Sequence, residues 1–341
     1  MRNKLSFIFL ITAGVFLIPI APGANAEAII ADHLAATDFI NIPHAYIEQV
    51  KTTQVIHYGH TSHGSQIVSG MTILKDSSSL YDFKNGEGTL YMSEISDDLG
   101  HLGDTSWVPI TRARLADPSY GFNVVMWSWC GGCSDNTEEG IDIYLNAMNG
   151  LEEDYPDVTF IYMTGHLDGT GVDGNLYRRN NQIRAYCQAN DKILFDFADI
   201  ESYDPDGNYY PDETDYCYWC SDWCAVHDCH PCDICAHSQC FNCYLKGKAF
   251  WWMMARIVGW IPDPDPDCCE GVTGNVNCSV EEEPDISDIT RLIDYLYISR
   301  ASLCCPEEAD INVSGGEPDI SDITRLIDYL YISQAPLDAC P

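Results

Sequence analysis

Four short apolar runs constrain this chain more than any other feature: QVIHYG at 54–59, FNVVMWSW at 122–129, VTFIYMTG at 158–165 and KILFDFAD at 192–199. Each is rich in β-branched and aromatic residues and ends in polar or Gly-containing sequence, which is how strands buried on both faces read. Between them lie helix-like stretches, GIDIYLNAMNGLEEDYP at 140–156 and NLYRRNNQIRAYCQAN at 175–190, and KGKAFWWMMARIVGW at 246–260 reads as a closing helix. Strands alternating with helices predict a parallel sheet covered by helices, an α/β domain over residues 27–260. In such sheets ligands bind beyond the carboxyl ends of the strands. Those ends carry His60-Thr61-Ser62-His63-Gly64, Cys130-Gly131-Gly132 and Gly165-His166.

The amino terminus sets the compartment. Arg2 and Lys4 precede an apolar run from Leu5 to Ile20 and a small-residue ending at Ala24-Asn25-Ala26, the pattern of a secretory signal peptide (residues 1–26) cut after Ala26. No later stretch has the roughly 18 to 20 uninterrupted apolar residues of a membrane helix. The expectation is a secreted, extracellular protein with no membrane span after signal cleavage. A net charge of −35 makes nucleic acid and anionic membranes poor partners.

A serine hydroxyl attacks a carbonyl only when a base takes its proton and donors await the oxyanion. Ser62 follows the first run, the Gly131 and Gly132 amides follow the second, His166 follows the third, and His237 stands just before the closing helix. Alone, Ser62 reads as a loop hydroxyl; the succession of motifs on strand ends favours a nucleophile. His57, inside the first run, reads as structural. His60 and His63 form an i, i+3 pair without an evident third metal ligand.

These blocks, with AHS at 236–238, Asn242 and KGKAFWW at 246–252, resemble an exported subgroup of the SGNH (GDSL-type) hydrolases over residues 54–260. The resemblance implies a flavodoxin-like three-layer α/β/α fold, with Ser62 as nucleophile, His237 as base, and Gly131 or Gly132 among the oxyanion donors. His60-Thr61-Ser62 replaces the usual Gly-Asp-Ser, and Gly165-His166-Leu167-Asp168 replaces Gly-x-Asn-Asp, so His166 takes the asparagine's place. Ile234 stands where the orienting carboxylate is expected, and Asp233 is the nearest candidate. The implied activity is ester hydrolysis on a polysaccharide or small ester. The rival is a non-catalytic carbohydrate-binding or surface-display protein on the same fold.

Seventeen cysteines follow the signal, eight of them in an insertion at 217–243. Export favours disulfides there, and repeated Cys-x-x-Cys spacing keeps Zn²⁺ as the alternative. Cys130 and Cys133 read as a disulfide or a redox pair.

The linker IPDPDPDCCE at 261–270 leads to a last module, 271–341, in which EPDISDITRLIDYLYIS occurs at 283–299 and again at 317–333. Apolar residues at helical spacing make each copy an amphipathic helix, with Ser287 and Ser321 as start signals. Oxygen-bearing side chains precede each helix at alternating positions: Asn275, Asn277 and Ser279, then Asp285 and Asp288; Asp310, Asn312 and Ser314, then Asp319 and Asp322. A hard cation binds such loops, although capped helices need no ion. The module resembles a type I dockerin, a small all-α, EF-hand-like domain. That implies Ca²⁺ in each loop and a cohesin-like scaffold or cell-surface partner.

Overall fold

In a computed structural model the described residues are 28–84, 86–262, 269, 272–277, 283–298, 303, 305–315 and 318–339. The signal segment and Ser279 lie outside them. The larger unit runs β1 (Ile29–Ala31), α1 (His33–Asp38), α2 (His44–Thr53), β2 (Val55–His60), α3 (Ser65–Ser77), β3 (Tyr91–Ser96), α4 (Trp107–Ala116) and β4 (Val124–Trp127). It continues with α5 (Glu138–Asp154), β5 (Thr159–Met163), α6 (Asn175–Ala189), β6 (Ile193–Phe195), α7 (Phe197–Ser202), α8 (Tyr218–Cys224) and α9 (Cys240–Ile257).

The fold is α/β, as the alternation of runs predicts. All six strands are parallel, in the order β1-β6-β5-β4-β2-β3. Leaving out β1 at the far edge, the other five follow the flavodoxin-like order, whose direction reverses between β2 and β4. Chain entering β2 therefore leaves toward β3 on one side, while β4 lies on the other. A crevice opens at that switch point, over the carboxyl ends of the strands.

Two edge strands carry no clear signal in the sequence. β1 has three residues, and β3 (YMSEIS) is half-exposed and mixes polar with apolar side chains. The central strands are legible because both faces are covered: Val124 through Trp127 are all buried.

One close contact fixes the geometry around the crevice. A Cβ on Gly70 of α3 would stand 1.8 Å from the Cys243 carbonyl oxygen of α9, and one on Gly247 would stand 2.3 Å from the Gly70 carbonyl carbon. The two helices thus cross backbone to backbone. A buried network locks the crossing. The Lys246 ammonium pairs with Glu201 at 2.7 Å, both side chains fully buried, and also donates to the Gln66 carbonyl oxygen. Glu201 accepts the Leu167 N–H at 2.7 Å, and Gln66 donates to the Ala236 carbonyl at 2.6 Å. The loops carrying His166 and His237 are therefore held to one buried ion pair.

The segment between α7 and α9 has little core of its own. Its eight cysteines pair as Cys217–Cys220, Cys224–Cys229, Cys232–Cys240 and Cys235–Cys243. Cys130, Cys133 and Cys187 are free thiols, so the Cys130/Cys133 disulfide expected from the sequence does not form; Cys133 Sγ instead donates to Asn180 Oδ1 at 3.3 Å. No helix among the described residues is long and apolar enough to cross a membrane.

In the C-terminal module the repeat helices are α10 (Ile286–Ile293) and α12 (Ile320–Ile327), with the short α11 (Pro306–Ala309) between them. Ile289, Leu292, Ile323 and Leu326 share its core with Val276 and Ile311. The helix caps are Asp285 and Asp319 rather than Ser287 and Ser321. Each carboxylate accepts the serine N–H at 2.6 Å, and Asp288 or Asp322 reaches back to the cap N–H at 2.8 Å. A carboxylate accepts the free N–H groups of a helix start as a hydroxyl does, and it also meets the helix dipole and is answered by the Asp at N3, which favours the cap two residues earlier.

Candidate active site

β2 is buried on both faces at its centre and delivers its last residues to the switch point. Gly59 is required there, since a Cβ would stand 2.2 Å from the Trp127 ring. Gly64 lets the following turn press on β4, a Cβ standing 2.2 Å from Ser128 Oγ. The turn is pinned on its outer side by His60 Nε2 to Glu94 (3.0 Å) and Thr61 Oγ1 to Asp98 (2.8 Å). Just past these pins Ser62 and His63 face the residues that follow β4 and β5.

Ser62 Oγ lies 3.4 Å from Cys130 Sγ, the residue that leaves β4. His63 lies between two partners: its Nδ1 is 3.2 Å from Cys130 Sγ and its Nε2 is 2.9 Å from Asp215 Oδ2. Two further imidazoles stack on it. The ring centroid of His166 is 3.6 Å away at 5°, and that of His237 is 4.6 Å away at 17°. His166 and His237 thus stack on His63, the residue next to Ser62 in the turn. Ser62 makes no hydrogen bond to His237 among the described residues. Asp233 is exposed, and no hydrogen bond or ion pair joins it to the cluster among the described residues; the carboxylate bonded to His63 is Asp215.

Charge and burial assign the protons. Burial pushes the Asp215 carboxyl up, but the hydrogen bond from His63 and the nearby His166, His63 and His237 outweigh it, and the net shift is downward. An ionised carboxylate only accepts, so His63 Nε2 carries a proton and donates it. Burial, joined by the neighbouring imidazoles, lowers the pKa of His63 despite Asp215. The ring is neutral at neutral pH, and Nδ1 offers a lone pair to the Cys130 thiol.

Beside Cys130 the turn is tight. Gly131 has φ +81°, and a Cβ on Gly132 would stand 1.6 Å from the Gly100 carbonyl oxygen. Neither N–H donates to an acceptor among the described residues. Adjacent to the cluster, past Leu167, is a cleft of about 220 Å³ lined by Tyr177, Tyr203 and Tyr209 with Asp199, Arg184 and Glu213.

The ligand atoms of His63, His166 and Asp215 lie within 4.8 Å of one another. Ring lone pairs lie in the ring plane, so two stacked parallel imidazoles cannot both aim at an ion between them. The arrangement suits proton transfer better than ligation. In the calcium-candidate loops, Asp310 accepts the Ser314 and Gly315 N–H groups at 2.9 and 2.8 Å. Asp288 and Asp322 accept the Asn277 and Asn312 N–H groups at 3.0 and 3.1 Å. The Asp288 and Asp322 contacts are equivalent in the two repeats.

Sequence reasoning did not find Asp215, which reaches His63 across 152 positions. Nothing in TDYC distinguishes it from the many other acidic residues. From the sequence, His63 reads as half of a metal pair and Cys130 as one half of a disulfide or redox pair, so neither is marked as a partner of Ser62.

No protein-family profile and no curated protein matches the chain. Among solved structures it is similar to a candidate acylhydrolase from Bacteroides fragilis NCTC 9343, with 10% identity over 65% of this chain and 95% of that one, at a TM-score of 0.36. It is also similar to the periplasmic domain of a lipopolysaccharide acetyltransferase from Salmonella ser. Paratyphi A, with 10% identity over 67% and 99% of the two chains, at a TM-score of 0.37. Superpositions this loose carry no argument about chemistry, which rests on the residues of the crevice.

Proposed function

We propose that the chain is an exported hydrolase acting on ester bonds by acyl transfer in the crevice between β2 and β4. The supporting observation is the meeting of Ser62, His63, His166 and His237 over the strand ends, with Asp215 behind them. In this reading Ser62 Oγ attacks the ester carbonyl and His237 takes its proton. The Gly131 and Gly132 amides and His166 stabilise the oxyanion. The alcohol leaves with the proton, and water then hydrolyses the acyl-serine. Asp215 replaces Asp233 as the carboxylate that steadies the imidazole cluster.

The tyrosine-lined cleft beside His166 favours a carbohydrate ester, because ring faces pack on sugar C–H surfaces while carboxylates accept from hydroxyls. The C-terminal module is proposed to bind Ca²⁺ through its two loops and to dock on a cohesin-like partner. Calorimetric titration with Ca²⁺ after EDTA treatment is expected to release heat and raise thermal stability; no response would leave a pair of capped helices. The 217–243 segment is proposed to be disulfide-bonded, and two equivalents of zinc in protein purified without chelator would overturn that.

A fluorophosphonate probe tests the enzyme reading. It is expected to label Ser62, and Ser62→Ala should remove the label and lower turnover of a p-nitrophenyl ester by roughly a thousandfold. No label and no turnover across an ester panel would favour the non-catalytic, surface-display alternative.

A further inference from the structure

The group that His63 faces is a thiol. With Asp215 ionised, His63 Nε2 donates to it and Nδ1 is left as an acceptor, 3.2 Å from Cys130 Sγ. The single thiol proton is then directed at His63, and Sγ is free to accept from the Ser62 hydroxyl at 3.4 Å. The order along the line is nucleophile, base, carboxylate, the arrangement that activates a cysteine. A second observation stands apart from that line. The N–H of Gly131, the residue directly after Cys130, donates to no acceptor among the described residues, and neither does that of Gly132. The amide following a nucleophile is a recurrent oxyanion donor.

We propose that Cys130, activated by His63 and Asp215, is a second nucleophile of the crevice and forms an acyl-thioester with carboxylic esters. This rests on the reading that the crevice transfers acyl groups, and it identifies an acyl-carrying atom besides Ser62. His63 Nδ1 takes the thiol proton as the C–S bond forms and the carbonyl π electrons move to oxygen. Collapse of that oxyanion breaks the C–O bond, and the departing alkoxide takes the proton from His63. Water then attacks the thioester, giving one proton to His63. The acid leaves and the thiol is restored.

The experiment uses the intact protein. It is exposed briefly to p-nitrophenyl acetate, quenched in acid and mapped by peptide mass, with and without neutral hydroxylamine. Parallel samples measure iodoacetamide alkylation of Cys130. The expected result is a hydroxylamine-labile acetyl group on Cys130 that persists in Ser62→Ala. Alkylation of Cys130 should be at least tenfold slower in His63→Gln, and also slowed in Asp215→Asn, which keeps the inference testable if the first variant fails to fold. Fluorophosphonate labelling of Ser62 without any acetyl on Cys130 would overturn the inference and leave the serine reading standing. Acetyl on Cys130 without a fluorophosphonate label would do the reverse. An alkylation rate indifferent to both variants would also overturn it.

Discussion

The crevice has two banks of different construction. Ser62, His63, Cys130 and His166 stand at the ends of buried parallel strands, where position follows from main-chain hydrogen bonds and the packing of Tyr58, Trp127 and Met163. Asp215 and His237 stand on a segment with one short helix and four crosslinks. Hydrophobic burial orders the first bank, and covalent closure together with Gln66 and Glu201 orders the second. A strand-poor segment buries too little apolar surface to offset its own chain entropy, so it is tied down instead. The difference implies that the proposed nucleophiles and the proposed base respond to different perturbations.

The largest expected effect is at the joint between the banks. Glu201→Ala leaves the Lys246 ammonium buried without its partner and frees the Leu167 N–H, at a cost of about 3–5 kcal/mol. Urea unfolding measures it; a loss below about 1 kcal/mol would mean that the banks are not coupled through this pair. The next effect is confined to the sheet bank. Burial lowers the pKa of His57 to about 4, so the unfolded chain binds a proton there more readily than the folded one. Stability contributed by the neutral ring is complete above the ordinary value near 6.5 and is lost as pH falls toward 4. The gap between the ordinary value and about 4 corresponds to about 3 kcal/mol. Comparing the pH dependence of urea unfolding in the wild type and His57→Leu isolates this share, and parallel curves would refute it.

The smallest effect on stability belongs to the second bank. Replacing Cys235 and Cys243 by serine reopens a closure of 8 residues, worth about 2.5 kcal/mol in the chain-entropy account. Ester turnover is expected to fall at least tenfold with the sheet still folded by circular dichroism, because His237 is displaced while Ser62 stays. Equal turnover in that variant would show that the crosslink does not position the base.

The same contrast explains what could be read from the sequence. QVIHYG and VTFIYMTG announce β2 and β5 because strands covered on both faces must be apolar throughout. β3 pairs on one side only, so its YMSEIS pattern lacks that signal. Ser62, His166 and His237 could be picked out because each follows a recognisable element or precedes the closing helix. Asp215 could not, since a carboxylate on a crosslinked loop follows no period. Its role depends on a fold in which residues 63 and 215 become neighbours. The repeat helices are legible from spacing, whereas spacing alone puts their caps two residues late because serine and aspartate compete for the same position.

The Gly70/Gly247 crossing has a consequence for how such a site can change. Where two helices touch through bare main chain, the gap between them is set by atoms that substitution cannot trim, and any added carbon drives them apart. The distance from the serine turn to the imidazole loop therefore behaves as a fixed gauge. Variation in what the crevice accepts falls to the tyrosines of the neighbouring cleft, which can be exchanged without moving the gauge.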